Sequence, residues 1–237
     1  MRKLWPLILA ALLAGCIAGP APGPAPVTTA APARLDAATA SRNFAEVVAT
    51  VKPVAERECR TRSPRLNCDF MIVVDDRPGQ PPNAFQTVDR SGRPVIGFTL
   101  SLIADARNTD ELAFILGHEA GHHIAGHLPR TQQSALAGAL ILGTLAALGG
   151  GDAAVVRTAQ DVGATVGART YSREFELEAD RLGTVIALRA GYDPVRGAEF
   201  FNRIPDPGNQ FLGTHPPNAQ RIEVVRSEVA RLRAVGG

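Results

Sequence analysis

Apolar positions along this chain change period twice. Up to about residue 52, Phe44, Val47, Val48 and Val51 recur at three- and four-residue steps, the spacing of one helix face, in a helix expected to begin near Arg34 and to be disturbed at Pro53. At 70–74 the pattern becomes a short β-branched run ending in Asp75-Asp76-Arg77-Pro78-Gly79, which reads as a strand and a turn. Two more extended stretches, 84–88 and 94–99, flank Asp89-Arg90-Ser91-Gly92, a sequence with hairpin-turn chemistry. Beyond residue 108 the period is helical again. Asn108 and Glu111 fit a capping box opening a helix predicted to run to about Leu128 and to stop before Pro129.

Residues 134–148 are nearly all Ala, Leu, Gly and Ile. Such a run is short for a bilayer span, and we read it as a buried or lid helix, the alternative being shallow insertion into a membrane surface. Ser172 caps a helix ending at Gly191, and Asp193-Pro194 opens another as N-cap and first-turn proline. A last helix begins near Pro216-Pro217 and carries Ile222, Val225, Val229 and Leu232 on one side. A small sheet followed by helices, without internal repeats, is an α+β, mainly helical pattern.

The N-terminus is read as targeting rather than fold. Arg2 and Lys3 precede an apolar stretch at 4–14, and Leu13-Ala14-Gly15-Cys16 resembles a bacterial lipobox in which Cys16 is lipidated after removal of residues 1–15. Residues 16–33, rich in Ala, Pro, Gly and Thr, are expected to be a tether, and 34–237 the folded domain. The chain has 25 basic and 23 acidic side chains, a surplus that loss of Arg2 and Lys3 would cancel, so nothing points to nucleic acid. The two remaining cysteines, Cys59 and Cys68, are expected to pair in an oxidising compartment, since the region has too few thiols and histidines for a cysteine zinc site.

The chemistry concentrates in His118-Glu119-Ala120-Gly121-His122, an H-E-x-x-H run inside the capped helix. Residues four apart lie one turn apart, so His118 and His122 present two imidazoles to one cation, expected to be a single Zn2+. Glu119, about 100° round the helix, is placed as general base for a water acidified by the metal. Four of the five histidines in the chain fall at 118, 122, 123 and 127, a clustering that chance or a core would rarely give. His123 and His127 lie about 140° and 180° from His118 and cannot join the same ion while the helix continues, so we read them as structural. Ala125 and Leu128 occupy the places where a metzincin has Gly and a third His, which argues against that class.

A third ligand must come from elsewhere, and 172–180 offers three glutamates. Glu176 and Asp180 share a face at i and i+4, bordering the packed side marked by Phe175, Leu182 and Ile186. Glu174 and Glu178 fall on another face with Arg181, where solvated ion pairs would form. We assign Glu176 to the metal and Asp180 to the N–H of a ligating histidine. Taken alone, the segment also fits a merely charged helix.

With these pieces in order, the chain resembles the HtpX-like and CAAX-prenyl-protease-like zinc metallopeptidases, metallopeptidase family 48, a gluzincin group. The likeness covers about 70–221: Asn83-Ala84-Phe85, Glu111-Leu112-Ala113 before His118 to His122, His127, Ser172-Arg173 before Glu176-Leu177-Glu178-Ala179-Asp180, and Thr214-His215-Pro216-Pro217 with Arg221. It implies a zincin-like endopeptidase fold with two zinc-bearing helices on a small mixed sheet, whose edge at Asn83, Ala84 and Phe85 holds substrate as an added strand. The same resemblance makes Glu176 a zinc ligand. It places His215 near the active site, to steady an oxyanion or fill the open metal position, and Arg221 on a substrate carboxylate or carbonyl. Either could instead be structural.

Integral-membrane relatives carry several long apolar helices, whereas this chain resembles the periplasmic branch, whose C-terminal TPR region would here be absent or replaced by a separate adaptor. The expected function is hydrolysis of unfolded or misassembled polypeptides in a Gram-negative envelope, from a lipid anchor on the outer rather than the inner membrane. The alternative is a non-catalytic zinc-containing lipoprotein that holds clients in the same groove. A third possibility is a peptidase kept latent by 134–148 and His215.

Overall fold

Asp36 accepts the N–H of Thr39 and caps the first helix, α1 (Ala37–Arg62). The computed structural model describes residues 35–170, 172–206 and 216–235; Cys16, the leader, the tether and His215 lie outside the described residues. Residues 34–237 form one compact unit with its own apolar core. In α1 the buried face is Val47, Val51, Val54, Ala55 and Cys59. Pro53 lies within this helix without ending it, contrary to the disturbance expected there. Core residues anchor the helix on both sides of the proline, and that packing outweighs the loss of one intrahelical hydrogen bond.

A disulfide between Cys59 and Cys68, Cα atoms 5.7 Å apart, closes the turn from α1 into β1 (Met71–Asp75). Next come β2 (Ala84–Val88) and β3 (Pro94–Thr99), joined by a turn in which Asp89 Oδ1 accepts the N–H groups of Ser91 and Arg93. The sheet order is β1-β3-β2, with β3 parallel to β1 and antiparallel to β2. Every residue of central β3 is buried, whereas β2 forms an edge.

Thr99 caps the short α2 (Leu100–Asp105), and Asn108 caps α3 (Thr109–Ile124) by accepting the Glu111 N–H at 3.0 Å. Glu111 returns the favour one residue earlier than a standard capping box, accepting from the Arg107 N–H, and holds Arg203 through two short hydrogen bonds. Nearly every residue of α3 is buried.

The predicted end of α3 is corrected by the structure. It stops at Ile124, Gly126 takes the left-handed φ of +67°, and α4 (His127–Leu148) begins immediately. Pro129 therefore lies in the first turn of α4, where its missing N–H costs nothing, and marks a helix start rather than a stop. The sequence pattern did not reveal α5 (Ala153–Thr170), which pairs with α4 as a hairpin. The 134–148 run is thus the outer part of a longer, mostly exposed helix, not a buried one.

Glu176 and Asp180 lie on α6 (Ser172–Arg189). It crosses α3 where Gly117 faces Gly183: a Cβ on Gly183 would stand 2.8 Å from the His118 nitrogen. Asp193 caps α7 (Pro194–Gly197), a 3-10 turn follows (Ala198–Asn202), and α8 (Asn218–Val235) packs Val225 and Val229 inward. The architecture is the mainly helical α+β arrangement with a small mixed sheet that the sequence predicts.

Candidate metal centre

His118 and His122 sit one turn apart on α3, and their Nε2 atoms are 3.0 Å apart. The close α3–α6 crossing brings Glu176 to them, one carboxylate oxygen 3.3 Å from His122 Nε2 and the other 3.6 Å from His118 Nε2. These three residues form the group with metal-binding potential among the described residues, their donor atoms all within 4.8 Å of one another.

Each imidazole is oriented through its other nitrogen. His118 Nδ1 lies 2.9 Å from Asp180 Oδ1, so the ring donates there and keeps its Nε2 lone pair for the centre. Asp180 is fully buried and receives two hydrogen bonds from Arg221, at 2.8 and 2.7 Å. Burial alone would raise its pKa, but the Arg221 charge and the hydrogen bonds from Arg221 and His118 hold it below the usual 3.8. Arg221 Nη2 also comes within 3.4 Å of Glu176 Oε2. The guanidinium that the resemblance assigns to substrate is thus engaged with Asp180 beneath the ligands, although it borders the cavity in front of them.

His122 is served by His127, which the sequence reads as structural. Because α3 breaks at Gly126, His127 folds back and its Nδ1 lies 2.8 Å from His122 Nδ1. On its other side His127 Nε2 meets Glu178 Oε2 at 3.0 Å. An anionic Glu178 accepts the Nε2 proton, leaving His127 Nδ1 as acceptor for His122. Burial pushes the His127 pKa down to about 4, only partly offset by Glu178, so the ring is neutral as this relay requires. Glu178 pairs with His127 and Arg130, not with Arg181, and His127 stacks on Phe175 with ring centroids 4.5 Å apart. For His122 itself, burial lowers the pKa, but the hydrogen bond and charge of Glu176 outweigh it and raise the value above 6.5.

Glu119 is buried, lines the cavities on both sides of the centre and accepts no hydrogen bond from a described residue. The buried carboxylates of Glu119 and Glu176 thus stand beside two imidazole nitrogens that face the same point. Two imidazoles and one carboxylate with convergent lone pairs are a donor set that would suit a divalent ion such as zinc.

The first cavity, about 440 Å³, is walled by Leu102, Phe114, Ile115, Phe200, Phe201 and Ile204, with Asn83 and Ala84 at its rim. The 3-10 turn residues escaped sequence reading; their only signal was an aromatic pair after a capped proline. A second cavity, about 450 Å³, opens towards Gln86, His127, Arg169 and Phe175. Glu119, His122 and Glu176 border both. Phe85, placed on the substrate edge by the resemblance, turns its ring over the Gly97 backbone instead of into the first cavity.

Residues 41–229 match the model of Peptidase family M48. The chain belongs to that family. Relatives of this M48 chain include the beta-barrel assembly-enhancing protease of Yersinia pestis, 31% identical over 53% of this chain and 29% of that protein. The Escherichia coli K12 protein of the same name is 30% identical over 53% of this chain and 28% of its own length. The mitochondrial metalloendopeptidase OMA1 of Saccharomyces cerevisiae is 31% identical over 64% of this chain and 44% of its length. The M48 chain thus spans less than half the length of these curated relatives.

Proposed function

We propose that this M48 domain is a zinc endopeptidase acting on unfolded or misassembled polypeptides of a bacterial envelope. The observation that carries the reading is the convergence of His118, His122 and Glu176 beside the uncommitted carboxylate of Glu119, between two cavities and next to an edge strand. Zinc held there would supply Lewis acidity, polarising a peptide carbonyl and bringing the pKa of water near 7. Glu119 takes the proton from the attacking water and delivers it to the departing amide nitrogen. Asp180 and His127 keep the two imidazoles from rotating, so their lone pairs need no reorganisation during turnover.

An extended polypeptide fits along β2 by backbone hydrogen bonding, which recognises unfolded chain rather than a particular sequence. The apolar wall of the first cavity adds a place for one large side chain next to the scissile bond. The name of the Yersinia and Escherichia relatives, with the lipobox-like run ending at Cys16, supports an envelope location with a lipid anchor on the periplasmic side.

The test compares cleavage of casein and of a denatured β-barrel protein by wild type and Glu119→Gln, with metal content measured in both. We expect equal zinc loading and a loss of at least about 100-fold in rate in the variant. Equal rates, or none in either protein across both substrates, would point to a holding function with a structural metal.

A further inference from the structure

The helix α4 is, among the described residues, the one long and apolar enough to cross a membrane, yet only 6% of its apolar window is buried. It is therefore neither a core helix nor part of a leader. Leu136, Leu140, Ile141, Leu145 and Leu148 are 59 to 81% exposed. No charged residue occurs from 131 to 151.

Its partner α5 extends the same surface. Val155, Val162 and Val166 are exposed, and two shallow furrows of about 520 and 360 Å³ run along the hairpin, both bordered by Leu142. No charged side chain lines either furrow. Arg157 and Asp161, by contrast, project from another part of the α5 circumference and are exposed. The two helices approach closely enough that a Cβ on Gly138 would stand 2.0 Å from the Gly163 carbonyl oxygen, so the hairpin is a flat, two-helix slab.

We propose that the α4–α5 hairpin is a membrane-binding element that lays its aliphatic face in the interface of a lipid bilayer, separately from any lipid on Cys16. The composition of the patch selects this partner. Protein-binding surfaces are anchored by aromatic, Met and Arg side chains, whereas this patch is mostly Leu, Ile, Val, Ala and Gly with a few small hydroxyl residues (Ser134, Thr158, Thr170), suited to fluid acyl chains. The position of Arg157 and Asp161 selects the orientation. Crossing the bilayer would bury both charges, while lying in its plane leaves them among headgroups and water. The inference does not depend on peptidase activity, and its test does not read it.

Residues 34–237 lack both the lipidation cysteine and Trp5, the sole tryptophan of the sequence, so an introduced tryptophan reports alone. Leu140→Trp marks the hairpin and Leu66→Trp, also exposed, marks the loop after α1. With vesicles of phosphatidylethanolamine and phosphatidylglycerol, the hairpin reporter should shift to the blue and be quenched by doxyl-labelled lipid, and the loop reporter should not. Replacing Leu136, Leu140, Ile141 and Leu145 together by Ser should reduce vesicle flotation about tenfold or more, with unchanged circular dichroism and metal content. Three results overturn the proposal: no vesicle binding; a blue shift with rising protein concentration and no lipid, which assigns the face to a second copy; or a shift caused only by unfolded polypeptide, which assigns it to clients.

Discussion

The Nδ1 atoms of His122 and His127 lie 2.8 Å apart, so one ring gives a proton and the other accepts it. Glu178 settles the direction by taking the proton on the far side of His127. The result is a carboxylate–imidazole–imidazole chain that fixes the second metal-facing histidine much as Asp180 fixes the first.

The first prediction concerns that chain. His127→Leu keeps the stacked volume beside Phe175 but removes the acceptor, and we expect metal affinity to fall about 10- to 100-fold. Chelator competition measures it. An unchanged affinity would mean that His122 needs no partner to hold its tautomer.

A second prediction tests the helix crossing. Gly183→Val would push α6 away from the His118 backbone at a cost of about 1–3 kcal/mol, and should weaken metal binding because Glu176 rides on the same helix. Gly191→Ala lies past the end of α6 at a φ of +89°, with nothing near its Cβ position, so it should cost stability through backbone strain and leave metal affinity alone. Isothermal titration and urea unfolding separate the two effects.

Acid should loosen the centre through Asp180. Its folded pKa is below 3.8, so the stability it contributes is complete above that value and disappears as pH falls through the lower folded value. Asp180→Asn leaves buried Arg221 with only the longer contact to Glu176 and should cost about 3 kcal/mol at neutral pH, with a flatter stability profile below pH 4 than the wild type. Urea midpoints between pH 3 and 7 provide the comparison.

The disulfide is expected to act on the scaffold and not on the chemistry. Cys59→Ser with Cys68→Ser should lower stability by about 2–3 kcal/mol, and reductant should do the same to the wild type. Metal stoichiometry should stay the same in each case, since the loop that the bridge closes meets α3 through His123, which is not one of the three converging residues. Loss of metal on reduction would refute that separation.

Where sequence reading succeeded and where it failed follow from the range of the interactions involved. The strands, the cap at Asn108 and the pairing of His118 with His122 depend on neighbours within a few residues. The break at Gly126 was missed because a glycine inside a helical pattern is ambiguous until its φ is known, and Pro129 suits a helix start as well as a stop. Gly117 with Gly121, and Ala179 with Gly183, did carry a signal in their i, i+4 spacing, the mark of two helices meeting at close range. Of the readings of 134–148 as a buried or lid helix, the buried one fails because apolar composition tells how a helix would interact, not whether any protein surface is there to cover it.

The linear sequence by itself determined the helix that carries two imidazoles and the Glu119 carboxylate, the short mixed sheet and the family, because these are set by local spacing and by the order of motifs. Only the tertiary structure decided that Glu176 reaches those imidazoles, that Arg221 supports Asp180 from below, and that His127 turns back onto His122. Those contacts join residues from separate helices, and their distances depend on how closely two glycine-faced helices cross and on one left-handed residue, quantities that periodicity along a chain does not encode.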